Sequence, residues 1–282
     1  MHPDIEKLYK KVNEKLAITT GGAIGVTKQV AEAAKAALIG EALVWTVAVD
    51  DTSKETLKVP VASIASGTIL TTEAFDASSE DSETYSYATM DLNLRAFSGA
   101  NWNEGILENM PFDLVSRQVD AVGYALGEQQ SWKIIDLIET EPDDNLAGTI
   151  STGTLTVEVL IDGVTAVKNQ NFLPTVIMMN PAEYGALLKE EKFSSSLYVG
   201  TPSLPTGIRS ELLGCDIVVS SLVTSGSVHI LAKDIAVCYA PVAGPDVKEW
   251  ETGATGALGI RGRQRFGAKV VQPLAIYRIT IA

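Results

Sequence analysis

Histidine and cysteine are scarce in this 282-residue chain, two of each. Cys215 and Cys238 are too few to make a disulfide framework in a chain this long, so free thiols in an ordinary core are expected. Two distant cysteines and the one internal histidine, His229, cannot form a closed zinc site without carboxylates, and no His-Glu-x-x-His is present. Basic residues are the minority, 22 against 35 acidic, for a formal net charge of -13. A nucleic-acid surface needs clustered Lys and Arg that release counterions from phosphate, so this balance argues against one, and against anionic membranes. No run approaches the roughly 18 to 20 consecutive apolar residues of a membrane-spanning helix. The start, Met1-His2-Pro3-Asp4-Ile5-Glu6, lacks the charged-then-apolar layout of a secretory signal. A soluble chain that folds in a cytoplasm is expected. Hydrophobic residues make up 46%, enough for a sizeable core in one large domain or two modest ones.

Ile5 to Leu16 reads as a short amphipathic helix, with Ile5, Leu8, Val12 and Leu16 at helical spacing. After a break at Gly21-Gly22 and Gly25, a second helical segment runs from Val26 to Leu38. Such short helices are marginal alone, so the first ~40 residues read as an arm that packs on something else. Ala42 to Val49 and Glu55 to Val61 read as strands paired about the turn Asp50-Asp51-Thr52-Ser53. Ser66 to Ala88 is a polar excursion containing Ser78-Ser79-Glu80-Asp81-Ser82-Glu83, too long for an ordinary connection. Alternation returns at Tyr85, Tyr87, Met90, Leu92 and Leu94.

The strongest helix signal runs from Pro111 to Glu139 and is closed off by Pro142. Phe112, Val115, Val119, Val122 and Leu126 lie on one face, followed by Trp132, Ile134, Ile135 and Ile138 after a shift of phase. Gly123 and Gly127, one turn apart, admit close approach of another backbone. A further helix carries Val157, Leu160, Ile161, Val164 and Val167 and ends near Asn169-Gln170-Asn171. Pro174 to Met179 is a short apolar strand. Asn180-Pro181-Ala182-Glu183 has the chemistry of a helix start, with Tyr184, Leu187 and Leu188 as its buried face. Strands are expected at Cys215 to Ser220, Ser227 to Ala232, Ile235 to Ala240 and Val270 to Ile281, the last broken by Pro273. The fold class is α+β.

No catalytic constellation emerges. His229, in Ser227-Val228-His229-Ile230-Leu231, has neither a nucleophile nor an orienting acid that the sequence can name, and reads as a structural or surface residue. No Gly-x-Ser-x-Gly elbow exists. Gly21-Gly22-Ala23-Ile24-Gly25-Val26-Thr27-Lys28 lacks the Gly-Lys-Ser/Thr order of a phosphate loop and reads as a joint in the arm. Glu139, Glu141, Asp143 and Asp144 lack the spacing of a calcium loop and read as a solvated acidic stretch, as do Glu80, Asp81 and Glu83. No metal or other cofactor is expected. One basic feature stands out: Arg261, Arg263 and Arg265 at period two, with Lys269 beyond. On a strand all three arginines point to one side. In an acidic protein, carboxylates of a neighbouring subunit or of the same chain suit them better than phosphate.

The order of these segments resembles the major capsid proteins of tailed bacteriophages and related archaeal viruses, the Hong Kong 97-type capsid fold. The likeness is carried by Pro60 before the polar loop, the Pro111 to Glu139 helix, Pro174-Thr175-Val176-Ile177-Met178-Met179-Asn180-Pro181, Gly214-Cys215-Asp216-Ile217-Val218-Val219-Ser220, and Arg265 with Val271-Gln272-Pro273-Leu274-Ala275-Ile276. It spans the chain from about Ala42 onward and rests on order and spacing.

The resemblance implies an N-terminal arm at 1–41 and a peripheral domain at 42–61 and 89–199 with its spine helix at 111–139. It implies an extended loop at 62–88, an axial domain at 200–256 and return strands at 257–282. It further implies a non-enzymatic shell protein that closes through pentamers and hexamers around double-stranded DNA, assembled in the host cytoplasm and resident in the virion. Scaffold, portal and decoration proteins are its implied partners, and Glu80, Asp81, Glu83, Arg261, Arg263 and Arg265 its candidate subunit contacts. Some members weld subunits through a Lys–Asn isopeptide bond, with the Asn in the C-terminal part. This sequence has no Asn after Asn180, so a non-covalent shell is expected. No long helical scaffolding segment precedes the body, so a separate scaffold or none is expected. Two other readings stand beside this one: an encapsulin-like nanocompartment holding cargo enzymes, and more remotely a hydrolase or ligand-binding domain.

Overall fold

The computed structural model describes residues 30–34, 39–49, 53–62, 85–102, 114–189, 211–252 and 257–282. Strands β1 (Trp45–Thr46), β2 (Thr56–Ala62), β3 (Tyr85–Asp91) and β4 (Leu94–Trp102) precede the long helix α1 (Leu114–Glu139). Then follow β5 (Gly148–Thr152), α2 (Val157–Asn169), β6 (Val176–Met179) and α3 (Pro181–Lys189). The last part holds β7 (Glu211–Leu212), β8 (Cys215–Val219), β9 (Ser227–Leu231), the single turn α4 (Lys233–Ala236), β10 (Val237–Pro241), β11 (Asp246–Thr252), β12 (Ala257–Val270) and β13 (Ile276–Ile281).

A five-stranded sheet is built around β12, whose 14 residues make it the longest strand described. Antiparallel β4 lies along one edge of β12, from Leu258↔Trp102 to Phe266↔Leu94. Along the other edge β11 and then β10 run end to end, and β1 joins β10 in parallel. A six-stranded sheet has the order β5-β13-β9-β6-β8-β7, and β2 and β3 form a separate hairpin. The two large sheets share a core with α1. Residues 176 and 178 of β6 belong to that core, while 177 and 179 face a second one under α2 and α3. All four residues of β6 are therefore buried, as a strand covered on both faces requires.

Helix α1 buries Val119, Val122, Leu126, Ile134, Ile135 and Ile138. Six such side chains contribute about 10 kcal/mol or more, against roughly 1 kcal/mol for each helical glycine, so Gly123 and Gly127 are affordable. Gly123 serves the close approach its position suggests: a Cβ there would stand 2.6 Å from the Val30 carbonyl oxygen. At the far end Thr140 donates from N and Oγ1 to the Asp136 carbonyl, and Pro142 prevents continuation.

Several expectations need correction. Segments 42–49 and 55–61 do not pair with each other: β1 joins β10, and β2 pairs with β3 from Thr56↔Asp91 to Ala62↔Tyr85. The alternation of β2 is satisfied by the strand beyond the polar excursion rather than by the one before the turn. Trp132 is 53% exposed and Ile161 43%, so each lies off the buried face of its helix. The sequence pattern gives no strand at β11, and the segment Val270 to Ile281 comprises the last residue of β12, a turn at Pro273–Ala275 and β13. Helix Ile5 to Leu16, the Gly21–Gly25 break, residues 111–113 and most of segments Val26–Leu38 and Ser66–Ala88 lie outside the described residues.

Candidate assembly surface

Along β12 the alternation expected of a strand is complete. Ile260, Gly262, Gln264 and Phe266 face α1, and Arg261, Arg263 and Arg265 face away from it. The helix lies so close that a Cβ at Gly262 would come within 2.9 Å of Leu126. Register completes the outward face. Lys248 and Asp246 of β11 stand opposite Arg261 and Arg263. Gly99, Phe97 and Arg95 of β4 stand opposite Arg261, Arg263 and Arg265. With Lys269 further along β12, six basic side chains and one carboxylate of these described strands share one sheet face, on a chain of net charge -13.

The three arginines do different things. Arg263 donates from Nε and Nη2 to Asp246 Oδ2, each at 2.7 Å; both side chains are nearly half exposed, so the pair contributes at most about 1 kcal/mol. Arg265 donates from Nε to the Leu92 carbonyl at 2.9 Å and from Nη2 to the Lys54 carbonyl. Lys269 donates to the Thr89 carbonyl at 2.8 Å. Together Arg265 and Lys269 fasten the base of the β2–β3 hairpin to β12. Arg261, Lys248 and Arg95 are exposed and have no hydrogen-bond or ion-pair partner among the described residues. Glu80, Asp81 and Glu83 lie outside the described residues, in the connection that leaves β2 at Ala62 and returns at Tyr85.

The acidic stretch after α1 is engaged within the fold. Glu139 accepts from Thr224 N at 2.8 Å and Thr224 Oγ1 at 2.7 Å. Glu141 accepts from Asn145 Nδ2 at 2.9 Å, and Asp143 pairs with Arg278. The turn at 220–226 is held twice more: Asn180 Nδ2 donates to the Val223 carbonyl at 2.7 Å, and Glu183 accepts from Gly226 N at 2.7 Å. Asn180 Oδ1 also accepts from Ala182 N at 3.0 Å, the cap the sequence suggests, while Glu183 turns to the 220–226 turn instead of back to the cap. No group of His, Cys, Asp and Glu among the described residues could hold a metal ion.

His229 is fully buried in the middle of the six-stranded sheet, between Met178 of β6 and Arg278 of β13, and neither ring nitrogen has a hydrogen-bond partner among the described residues. Burial first, and the Arg278 charge second, hold it neutral by lowering its pKa to about 3. Burial likewise pushes the Cys238 thiol up to about 11 and raises Cys215, so both free cysteines are inert core residues. Sequence reading missed a buried polar network: Tyr239 OH donates to Gln130 Oε1 at 2.6 Å, and Gln130 Nε2 donates to Gln264 Oε1 at 2.8 Å. Burial raises the Tyr239 pKa and keeps the hydroxyl protonated as donor. A lone glutamine within a helical pattern gives no sign of this role.

The arrangement is one of sheet faces and fastened turns. Solved structures with the same fold include the capsid of cyanophage P-SCSP1u, with a TM-score of 0.67 at 14% identity over 85% of this chain and 86% of that one. A chain from Mycobacterium phage Che8 gives 0.65 at 15% over 81% and 85%. A virus-like particle from Pyrococcus furiosus gives 0.57 at 12% over 90% and 97%. No curated protein is similar enough in sequence to count as a relative. The mixed helix-and-sheet architecture is therefore the Hong Kong 97-type capsid fold. Residues 104–279 match the family model described as phage capsid protein, and the chain belongs to that family as a structural major capsid protein.

Proposed function

We propose that this protein closes through pentamers and hexamers into an icosahedral shell enclosing viral double-stranded DNA, assembling in the host cytoplasm before residing in the virion. The observation that carries this reading is the family match across 104–279, joined to a capsid fold over more than four-fifths of the chain. Heterologous contacts that close by rotation make rings, and rings of two sizes can close a shell. The protein works as a structural part without catalysis of its own. Sheet topology suggests that the five-stranded sheet with α1 is the peripheral domain and the six-stranded sheet with α2 and α3 the axial one, in place of a division at residue 200. The segment 62–88 acts as the extended loop that reaches a neighbour, with Glu80, Asp81, Glu83, Arg261, Arg263 and Arg265 at subunit contacts. Scaffold, portal and decoration proteins are its partners.

Likeness to a virus-like particle keeps a second reading in view, a nanocompartment that holds cargo enzymes. Particles purified from their native source separate the two. Nuclease-protected double-stranded DNA inside them is expected, and cargo protein in its place would select the nanocompartment.

A further inference from the structure

A cavity of about 420 Å³ lies against the buried network of Tyr239, Gln130 and Gln264, on the α1 side of the five-stranded sheet. Its size is that of a small-molecule site. Ala31, Ala34 and the turn 241–245 give it a mainly apolar lining, and Glu41 adds one carboxylate. Two glycine contacts hold the parts of this lining that precede α1. Gly40 donates from N to Ser131 Oγ at 3.2 Å, and a Cβ there would stand 2.7 Å from Ile134, so Glu41 is carried on a turn seated against the helix. The approach of Val30 to Gly123 seats Ala31 and Ala34 on the same helix. Burial first, and the Glu41 charge second, raise the Tyr239 pKa, so the carboxylate lies within electrostatic reach of the network.

Hydrogen-bond donors around the cavity are nearly all committed. Tyr239 OH donates to Gln130, whose Nε2 donates to Gln264 and to the Leu126 carbonyl. Pro241 and Pro245 have no N–H, and the amides of Val242 and Ala243 both donate to the Arg265 carbonyl. Gln264 Nε2 and Gly244 N are left among the described residues. Acceptors are in surplus: Glu41 has no hydrogen-bond or ion-pair partner among the described residues, and the Tyr239 oxygen keeps its lone pairs. A ligand suited to this lining donates hydrogen bonds, carries positive charge and has an apolar body. A bare hard cation fails the last condition, since it takes about six or more oxygen ligands, and an anion fails the second.

We infer that this cavity binds a linear alkylammonium ion, with its ammonium group on Glu41 and its methylene stem along Ala31, Ala34 and the turn 241–245. The choice of a free ion over a side chain of another protein rests on the DNA-enclosing reading above, because a wall of net charge -13 around DNA phosphates concentrates small cations inside it.

Calorimetric titration of the full-length chain tests this, at about 0.15 M salt, where general counter-ion attraction is screened beyond about 8 Å. Butylamine and putrescine should each bind at one site per chain, and butanol and butyrate at least tenfold more weakly. Glu41→Gln, at an exposed position, should weaken butylamine at least fivefold with an unchanged melting temperature. Ala31→Phe, which fills the cavity, should weaken it at least tenfold. No binding by the wild type, binding of several amines per chain, or equal affinity in Glu41→Gln overturns the inference, as does butanol binding as tightly as butylamine. N-acetyl-lysine methylamide binding more than tenfold tighter than butylamine would make the occupant a protein side chain and overturn the free ion. Shell formation is read separately: shells without amine binding remove this inference alone, and amine binding without shells removes the assembly reading alone.

Discussion

His229 shows what burial does to a single titratable side chain. The folded protein keeps the ring neutral down to about pH 3, whereas the unfolded chain protonates it near its ordinary value of 6.5. Between those values the unfolded state binds more protons, so the contribution to stability is intact above about pH 6.5 and is lost as pH falls. The loss is on the order of 2 to 3 kcal/mol by pH 4.5. His229→Leu removes the titration, so in dissociated subunits the unfolding free energy of this variant should gain on wild type by that amount between pH 7 and 4.5. A gap that does not change with pH would contradict the assignment. The sequence placed His229 correctly between Val228 and Ile230 on a strand, and gave it no chemistry. It could not reveal that the ring lies between Met178 and Arg278, because those neighbours come from strands about 50 residues away on either side. The arginine row was legible because a period of two is local, whereas the partners of Arg265, the carbonyls of Lys54 and Leu92, are set only by tertiary register.

At the scale of elements, α1 is legible to its last residue, since apolar spacing and a closing proline agree and outweigh the two glycines inside it. Trp132 misled because a large apolar residue near the stripe counts as core in any periodicity argument, although it lies on the outer side. Strand partners were less legible than strands. β2 and β3 find each other across 22 intervening residues, a pairing no local pattern encodes. Gly123 offers an element-scale test. In an open helix Gly→Ala stabilises by about 0.5 to 1 kcal/mol. Here the new methyl would stand 2.6 Å from the Val30 carbonyl oxygen, so Gly123→Ala should destabilise by roughly 1 to 3 kcal/mol, read as a lower denaturant midpoint. A stabilised variant would show that residues 30–34 do not pack against α1 in solution.

For the whole molecule, net charge is the property whose meaning changed most. A value of -13 argues against a nucleic-acid surface, and the proposed function needs none, since a shell that encloses DNA does not have to grip it. The same charge makes assembly the harder problem, because every subunit repels its neighbours unless basic and acidic patches meet. Assembly should therefore depend on ionic strength, with salt relieving the general repulsion and also weakening the specific contacts. With no Asn after Asn180, shells boiled in denaturing detergent should run as single chains, and a ladder of multiples would contradict a non-covalent shell. The central claim, that this chain is a shell-building subunit, is tested most directly by imaging the purified protein in negative stain across a range of salt concentrations. Closed shells, or rings of five and six subunits, are the expected result, and a protein that stays monomeric under every condition would contradict it.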